Sequence, residues 1–404
     1  MISTKEALQI VQENAFVPAV SKVYLLESLG KILAEDIVAD RDFPPFDRVA
    51  MDGIAAPHPP KGELKSDYKI PTLGISGLQY AGESQKTLSD PNACMEVMTG
   101  AILPLGCDAV IRYEDVDIKE VEGKKVVNIN IPFSEIKQGL NIHKKGTDRK
   151  AGDVLLQKGM KISPAEIAIM ASVGKVEVSV QMLPRVAVIS TGDELVDIDE
   201  TPEYYQIRMS NSYMLAGALQ NVGIVANRFH LTDDKELLFS KLQEILSNHD
   251  VILLSGGVSA GKKDFLPEIL SNLGVKKLFH KVAQKPGKPF WFGKTDNNKV
   301  AFALPGNPVS TFLCFCKYAL PSIKGTTKKE FVVLDKNVFF KPSLTYFIPA
   351  KTYFQAGKMM ATPFAGSGSA DFTNLTDCDG FIELSADFQE FKQGEIFEFI
   401  RFRN

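Results

Sequence analysis

The sequence has few cysteines and histidines, and neither type is grouped. The five cysteines are an odd number, too sparse for a disulfide framework, and no two of them form a C-x-x-C motif. The five histidines stand far apart, without the H-x-x-x-H or H-x-x-E spacing that places two ligands on one helix face. We therefore predict buried, reduced thiols and find little support for transition-metal catalysis.

The sequence also lacks a dominant charge and a long apolar run. Lys and Arg number 46 against 49 Asp and Glu, and no basic block offers the field that nucleic acid or an anionic membrane would select. No segment approaches the roughly 18 uncharged apolar residues of a membrane span, and residues 1–14 lack a cationic stretch followed by an apolar one. These absences predict a soluble, cytoplasmic protein that binds neither nucleic acid nor membrane.

What the chain does have is the length and composition of a multi-domain globular protein. At about 150 residues per domain, 404 residues predict two to three domains. Hydrophobic residues make up 45% and charged residues 24%, both near the averages of folded proteins. The chain is expected to fold throughout.

Local signals predict two short helices and two β-rich regions. Ser3 and Glu6 have capping-box spacing, as do Ser163 and Glu166 with a proline between them, and Gly174 is expected to end the second helix. Residues 42–60 hold five prolines, which predicts an irregular exposed loop and disfavours a helix or central strand. Short β-rich runs over residues 61–131 indicate a small all-β unit, and those after residue 324 a β-barrel or sandwich.

Between residues 185 and 324, predicted strands alternate with helices. Strands are expected at Val186 to Ser190, near Ile224 to Phe229, at Val251 to Leu254, near Phe279 to Ala283 and at Val300 to Leu304, with helices over Asn211 to Asn221, from Asp234, and over Asp264 to Leu273. This alternation indicates a parallel sheet with helices on its faces. Ligands of such sheets bind beyond the carboxyl ends of the strands.

Three of these strand ends carry unusual residues. They are Thr191-Gly-Asp-Glu194, Ser255-Gly-Gly-Val-Ser-Ala-Gly261 and Pro305-Gly-Asn-Pro308. The glycines of the second loop let backbone N–H groups approach a ligand, and the helix that follows adds positive potential. The loop suits a phosphate or another oxyanion, although each glycine-rich turn taken alone is also typical of helix capping and tight packing.

The loop Lys285-Pro-Gly-Lys-Pro289 holds two ammonium groups a few residues apart. Lysines on loops are usually just solvated, but two on a stiff loop beside an anion cradle resemble a preorganised dianion site. Carboxylates near phosphate repel it unless a cation lies between them, so Glu194, Asp233 and Asp264 indicate Mg²⁺ if the anion is bound. The alternative is that residues 232–234 merely cap the following helix.

Seven motifs give the chain a family resemblance. In order they are Pro44-Pro-Phe-Asp-Arg-Val-Ala-Met-Asp-Gly53, Met98-Thr-Gly-Ala101, Gly146-Thr-Asp148, Ser190-Thr-Gly-Asp-Glu-Leu195, Ser255-Gly-Gly-Val-Ser259, Lys285-Pro-Gly-Lys-Pro289 and Leu304-Pro-Gly-Asn-Pro-Val-Ser310. In order and spacing they resemble the molybdopterin molybdenumtransferases, the bacterial MoeA and gephyrin E-domain family. The resemblance covers nearly the whole chain.

The resemblance implies an α/β and β multi-domain fold. Its parts are a segmented linker domain (residues 1–47 and 141–178), an inserted β domain (48–140), a molybdopterin-binding α/β domain with a parallel or mixed sheet (179–324) and a C-terminal β-barrel-like domain (325–404). It further implies a cytosolic, elongated homodimer, with transient contacts to the molybdopterin adenylyltransferase and to molybdoenzyme acceptors. The implied reaction is the insertion of molybdate into the dithiolene of adenylylated molybdopterin, with Mg²⁺-dependent pyrophosphate cleavage and release of AMP.

Matched position by position, the resemblance implies roles for particular residues. The catalytic set is Asp52, Thr99, Asp148 and Glu194, and the Mg²⁺ ligands are Glu194, Asp233 and Asp264. Together with the loops described above, the predicted substrate contacts are Ser255, Gly256, Gly257, Ser259, Lys285, Lys288, Pro289, Pro305, Asn307, Lys351 and Ser367. Lys351 stands where the family has arginine, so it would present a point charge without a bidentate fork. Asp52 could instead cap its own turn, and Thr99 could be an ordinary cap before Gly100.

Two other functions remain open on these residues. The first is a binding protein that keeps the pterin fold as a scaffold or carrier without turnover, although a pure scaffold could dispense with the acids and the lysine pair. The second is an enzyme of the same α/β fold that adenylylates molybdopterin, which would not need the additional β domains. Incubation with ATP and molybdopterin separates this second alternative from the transferase.

Overall fold

The computed structural model describes residues 1–58, 72–232, 234–257, 265–325, 329–366 and 368–403. They form two compact units. The smaller unit is Val20–Met182, and the larger unit combines Met1–Ala19 with Leu183–Asn404.

Helices begin as predicted after Ser3, Ser163, Ser210 and Asp234, whereas the helix predicted from Asp264 begins at Leu266 in the described residues. The α-helices are Thr4–Glu13, Pro164–Ser172, Asn211–Gln220, Lys235–Asn248, Leu266–Asn272, Pro308–Cys314 and Leu320–Lys324, with a π-helical segment Phe315–Ala319 and short 3₁₀ turns Leu25–Ser28, Tyr113–Asp115, Phe133–Glu135 and Phe372–Asp377. Both predicted capping boxes are confirmed: Glu6 bonds back to Ser3, and Glu166 to Ser163. Among the described residues, no helix is both long and apolar enough to cross a bilayer.

The smaller unit contains the predicted all-β region as a six-stranded sheet. In spatial order the strands are Ala109–Arg112, Gly53–Ala56, Ala93–Val97, Leu73–Gln79, Lys124–Ile129 and Val116–Val121. Short sheets flank it: Val20–Tyr24 with Glu177–Gln181 and Ile32–Leu33, Arg48–Val49 with Ile142–His143, and Ile37–Val38 with Val154–Leu156.

The expectation that residues 42–60 hold no central strand is wrong. Gly53–Ala56 is buried at all four positions and lies between two neighbours in the six-stranded sheet. The prolines that disfavour a strand occupy positions 44, 45, 57, 59 and 60, on either side of this run. A four-residue strand without proline keeps all its backbone N–H donors, so the prolines limit its length and do not prevent it.

The larger unit contains the α/β sheet. Its strand order is Asn227–Leu231, Val186–Thr191, Val251–Ser255, Val300–Leu304, Trp291–Lys294 and Lys276–His280. The first four strands and Lys276–His280 run in one direction, and Trp291–Lys294 runs antiparallel to both of its neighbours, so the sheet is mixed. Since only ten residues join the last two in sequence, too few for a helical crossover, their connection folds back as an antiparallel pair.

Helices cover both faces of this sheet. On one face, Val188 and Leu253 pack with Leu215 of helix Asn211–Gln220. On the other, Ile189 and Leu254 pack with residues of helices Lys235–Asn248 and Leu266–Asn272. Alternate residues of each strand thus enter separate cores on the two faces of the sheet. The loops that follow the parallel strands converge at the carboxyl ends of the strands.

The C-terminal region closes into a barrel. Strands Thr345–Gln355, Lys358–Pro363, Glu330–Leu334, Ile396–Arg401 and Gly380–Leu384 pair in that order, and the last pairs again with the first. Gln284–Lys285 adds in parallel to Thr345–Gln355, while Val338–Phe339 pairs with Glu390–Phe391 and Leu195–Val196 with Ile207–Arg208. The expected β-barrel is confirmed, and all five cysteines are buried and free as predicted. The boundaries predicted for the four domains stay predictions.

Candidate functional site

The three predicted strand ends lie side by side in the larger unit. Strand register places Ser190 beside Ser255 and Ser255 beside Leu304. The side-chain amide of Asn211 joins the ends, because its Nδ2 donates to Ser255 Oγ at 2.8 Å and to the Gly306 carbonyl at 2.7 Å. The structure therefore brings the beginning of the glycine loop, at Ser255, and the Pro305 loop together at one edge of the sheet.

The glycine loop follows a path that side chains would obstruct. Gly256 and Gly257 have φ angles of +102° and +67°. A Cβ on Gly256 would lie 2.9 Å from the carbonyl oxygen of Thr191, and one on Gly257 would overlap Leu266. Glycine is required at both positions, because the loop packs closely against Thr191 and Leu266.

Two buried polar atoms beside this loop have no hydrogen-bond partner among the described residues. They are Thr191 Oγ1 and Asn211 Oδ1. Thr191 is only 6% exposed, and an unpaired buried polar group costs about 1–3 kcal/mol. Sequence reasoning did not assign these residues to the site, although Thr191 lies within a quoted motif and Asn211 begins a predicted helix. Buried polar atoms without a partner beside a glycine loop favour a polar ligand at this edge.

Glu194 lies at the first strand end and is exposed. The turn before it is tight: a Cβ on Gly192 would lie 2.7 Å from Glu194 Oε1. Its exposed carboxylate is the kind of hard oxygen ligand that Mg²⁺ prefers. Asp233 and Asp264 fall outside the described residues, as do Ser259 and Ser367. Within the described ranges no three His, Cys, Asp or Glu side chains group to hold a metal.

The lysine loop borders a cavity of about 750 Å³ between the α/β sheet and the barrel. One wall is formed by residues 284–289 and 305–307, and the other by barrel residues that include Tyr346 and Gly366. Lys285 and Lys288 are exposed, and neither forms an ion pair with a described carboxylate. Lys285 Nζ lies 5.6 Å from the ring centroid of Phe340. Two unneutralised ammonium groups at a cavity of this size favour an anionic ligand.

Pro289, Pro305 and Asn307 also line this cavity. Asn307 Nδ2 donates to Ser369 Oγ at 2.8 Å, which ties the Pro305 loop to the opposite wall. Lys351 does not line the cavity: it is exposed on the barrel strand Thr345–Gln355, opposite Thr362.

The smaller unit brings a second group of predicted residues together. Asp52 Oδ1 accepts hydrogen bonds from the backbone N–H of Thr99 at 2.6 Å and from its hydroxyl at 2.7 Å. These two bonds lower the pKa of Asp52, so its carboxylate is held in the charged form. The contact spans 47 residues, since Gly53–Ala56 pairs with Ala93–Val97, and Asp52 therefore does more than cap its own turn.

Asp148 occupies a separate place in the smaller unit. Its carboxylate lies 2.9 Å from Nε2 of His143, whose Nδ1 lies 3.1 Å from the Arg48 guanidinium. Asp148 is exposed, and it shares no hydrogen bond with Asp52 or Thr99. His143 was not predicted to take part, because no sequence spacing links it to the active-site motifs.

Comparison with known proteins identifies the family. Three family models match in order: the MoeA N-terminal region (domain I and II) over residues 2–174, the probable molybdopterin binding domain over 187–325, and the MoeA C-terminal region (domain IV) over 332–402. The molybdopterin molybdenumtransferase from Synechocystis sp. is 39% identical to this chain, and the match covers 99% of each protein. The molybdopterin molybdenumtransferase from Staphylococcus epidermidis is 32% identical, and the match covers 99% of this chain and 95% of the relative.

A solved structure agrees with the sequence relatives. The molybdopterin biosynthesis MoeA protein from Pyrococcus horikoshii has a TM-score of 0.82 and 31% identity, with 100% of each chain covered. The resemblance that the motifs indicated is thus confirmed from end to end. The chain belongs to the MoeA family of molybdopterin molybdenumtransferases.

Proposed function

We propose that this chain inserts molybdate into the dithiolene of adenylylated molybdopterin, with cleavage of the pyrophosphate and release of AMP. The broader function is that of its family, a transferase step in molybdenum cofactor biosynthesis. This proposal rests on two features of the larger unit: a glycine loop flanked by polar atoms without a partner among the described residues, and a cavity bordered by two ammonium groups that pair with no described carboxylate. The pyrophosphate of adenylylated molybdopterin suits the glycine loop, and molybdate suits the cavity beside the lysines.

The sheet edge is suited to the phosphorylated pterin substrate. Gly256 already donates its N–H to the Leu304 carbonyl, so we propose the backbone N–H of Gly257 as the donor to the ligand. Thr191 Oγ1 and Asn211 Oδ1, which have no partner among the described residues, would bond to its polar groups. Lys285 and Lys288 would hold molybdate, a tetrahedral dianion, by charge-assisted hydrogen bonds. We assign Ser255, Pro305 and Asn307 to positioning around these ligands.

The described part of the proposed magnesium site fits a hard cation. Glu194 would hold Mg²⁺, and Asp233 and Asp264 are proposed as its companion ligands. A metal bound there would neutralise the negative charge that develops as the pyrophosphate is cleaved. Asp52, kept ionised by Thr99, is proposed to act as a proton acceptor, with Asp148 as a further active-site acid.

We further propose that the protein acts in the cytoplasm as a homodimer. It would receive adenylylated molybdopterin from the adenylyltransferase and deliver the finished cofactor to molybdoenzymes through transient contacts. These assignments rest on the family resemblance, and no surface of the described residues is used to support them. We also propose that it binds neither nucleic acid nor membrane, in keeping with its balanced charge.

The central experiment measures AMP release from adenylylated molybdopterin. We expect release to require both molybdate and a divalent cation, because the cleavage places negative charge next to Glu194 that a metal must neutralise. Full turnover by chelator-treated protein would remove the metal assignment. AMP release at the same rate without molybdate would remove the coupled insertion.

The same assay addresses the alternatives. A non-catalytic scaffold would bind the substrate without releasing AMP. An adenylyltransferase would instead consume ATP with free molybdopterin. Lys285 and Lys288, which pair with no described carboxylate, and the ionised Asp52 favour the transferase over a scaffold, because a scaffold has no need of these groups.

A further inference from the structure

The lysine loop is held from beneath by a buried amide. Gln284 is 1% exposed, and its Nε2 donates to the carbonyls of Pro286 at 3.1 Å and Gly287 at 3.3 Å. These two peptide groups lie between Lys285 and Lys288. The amide therefore fixes the backbone from which both lysine side chains extend.

The amide is itself oriented by a tyrosine from a different element. The hydroxyl of Tyr318, in the π-helical segment Phe315–Ala319, bonds to Gln284 Oε1. Burial raises the pKa of Tyr318 well above its ordinary value, so the hydroxyl stays protonated and donates a hydrogen bond. With its oxygen accepting from Tyr318, the amide presents its NH₂ group to the loop. The Tyr318 hydroxyl thus supports the same amide orientation as the bonds from Gln284 Nε2 to the two loop carbonyls and to Cys314 Sγ.

Packing leaves the loop little freedom to move away. Gly287 has a φ of +88°, and a Cβ there would lie 2.7 Å from Cys314 Sγ and 2.8 Å from Gln284 Nε2. Gln284–Lys285 also pairs with the barrel strand at Thr345 and Tyr346. An apolar residue would fill the Gln284 position at lower desolvation cost. The polar network has a purpose beyond filling space, namely to hold the loop carbonyls.

From this arrangement we infer that Gln284 and Tyr318 are positioning residues for the oxyanion, which act through the backbone of the lysine loop. Two like charges repel, and a loop free to relax would separate them before the ligand arrives. Holding the loop in place removes that relaxation and the ordering cost that binding would otherwise carry. The inference rests on the proposed function, because it assumes that Lys285 and Lys288 hold molybdate.

The test compares Tyr318→Phe and Gln284→Met with wild type in AMP release at varied molybdate. Losing one neutral hydrogen bond corresponds to a roughly three- to tenfold higher half-saturating molybdate concentration for Tyr318→Phe. Gln284→Met removes both donors and should raise it further, by on the order of tenfold or more. The rate at saturating molybdate should stay within about twofold, since neither residue touches the reacting atoms.

The control separates positioning from a general loss of stability. Ser28→Ala removes another fully buried hydroxyl, which donates to the Leu25 carbonyl at 2.6 Å in the smaller unit. The thermal midpoint of each variant is measured alongside its activity. We expect Ser28→Ala to lower the midpoint without changing the molybdate dependence. The inference would be overturned if Tyr318→Phe and Gln284→Met lowered the maximal rate equally and left the half-saturating molybdate concentration unchanged.

Lys285→Ala distinguishes failure of the inference from failure of the proposed function. Losing a charge-assisted bond should raise the half-saturating molybdate concentration roughly ten- to a hundredfold. If Lys285→Ala does so and Tyr318→Phe does not, the positioning role is wrong and the oxyanion site stands. If neither Lys285→Ala nor Lys288→Ala changes molybdate use, the oxyanion lies elsewhere, and the proposed function loses this site.

Discussion

At the residue scale, the best-defined candidate is the Asp52 carboxylate with its two bonds from Thr99. Both donors reach the same oxygen, and the lowered pKa follows from them. Asp52 is exposed, so little else in its surroundings stabilises the charge. The backbone N–H of Thr99, and after it the Thr99 hydroxyl, therefore keep this acid ionised as the pH falls.

We predict that Thr99→Val raises the pKa of Asp52 toward its ordinary value, because one of the two donors is lost and the backbone N–H remains. A folded-state pKa that is depressed stabilises the protein above the unfolded-state pKa, and this contribution disappears as the pH falls through the folded value. The acid limb of AMP release should move to higher pH in the variant for the same reason. An NMR titration of the Asp52 carboxyl in both proteins measures the shift.

Asp197 provides an internal reference in that titration. Its pKa is also lowered, by the Tyr213 hydroxyl and the Ile198 backbone N–H in the larger unit, and Thr99→Val should leave it unchanged. An Asp52 titration that coincides in the two proteins would show that the hydroxyl does not stabilise the charge.

Residues such as Asp52 and Lys285 could be proposed from sequence because they stand in motifs. Thr191, Asn211 and Gln284 could not, since their importance lies in atoms left unpaired or paired across more than 20 residues of chain. Hydrogen bonds of this kind follow from tertiary packing, which residue spacing does not reveal. The same holds for His143 between Arg48 and Asp148.

At the scale of single elements, local chemistry was the more reliable guide. The capping boxes at Ser3 and Ser163 were predictable because three or four neighbouring residues satisfy the first N–H groups of a helix without help from the rest of the fold. Strand Gly53–Ala56 was missed because its burial comes from partners at residues 93–97 and 109–112. The direction of strand Trp291–Lys294 likewise depends on its connection, and composition does not encode it.

One element joins the α/β region to the barrel through charge. Lys317, in the π-helical segment, is buried, and its ammonium bonds to Glu383 and lies 3.4 Å from Glu398, on two barrel strands. Burial alone would raise the pKa of Glu398, but the bonds from Lys329 and Lys317 outweigh it and the pKa is lowered. Removing the buried Lys317 ammonium would leave the carboxylates of Glu383 and Glu398 without this positive charge, which destabilises the fold.

We predict that Lys317→Met lowers the free energy of unfolding by about 3 kcal/mol, the lower end for a broken buried pair, because the carboxylates are partly exposed. Lys329→Met is the matched control, since Lys329 bonds the same Glu398 at 2.7 Å from an exposed position and should cost under about 1 kcal/mol. Denaturant unfolding monitored in the larger unit gives both values.

The pH dependence of that difference follows from the sign of the Glu398 shift. Because its folded pKa is lowered, the stabilisation is present above the unfolded pKa and is lost as the pH falls through the folded one. The gap between wild type and Lys317→Met should therefore narrow in acid. Equal costs for the two lysine variants, or a gap that widens in acid, would contradict this account of the network.

At the scale of the whole molecule, the candidate residues divide between the two units. Asp52, Thr99 and Asp148 belong to the smaller unit, while Glu194 and the lysine loop belong to the larger one. The motifs made the family and its succession of domains predictable along the whole chain, because each motif carries both a local turn and a binding role. The motifs do not predict which chain supplies each residue of an active site.

We predict that the homodimer proposed for this chain has composite active sites, each with Asp52 and Thr99 from one protomer and Glu194 with the lysine loop from its partner. A two-fold axis then generates two equivalent sites. Asp52→Ala and Glu194→Ala homodimers should each be nearly inactive, since every site carries a lesion. In a mixed dimer both lesions fall in one site and the other is intact.

Co-expression of the two variants with different affinity tags, followed by sequential purification, isolates the mixed dimers for the AMP-release assay. Each should recover up to about half the activity of a wild-type dimer, because one of its two sites is whole. A mixture of the two purified homodimers, assayed before subunits exchange, is the control and should stay inactive. If groups from one chain alone formed each site, every site of the mixed dimer would still lack one acid. Mixed dimers as inactive as their parents would therefore assign both acids to a single protomer.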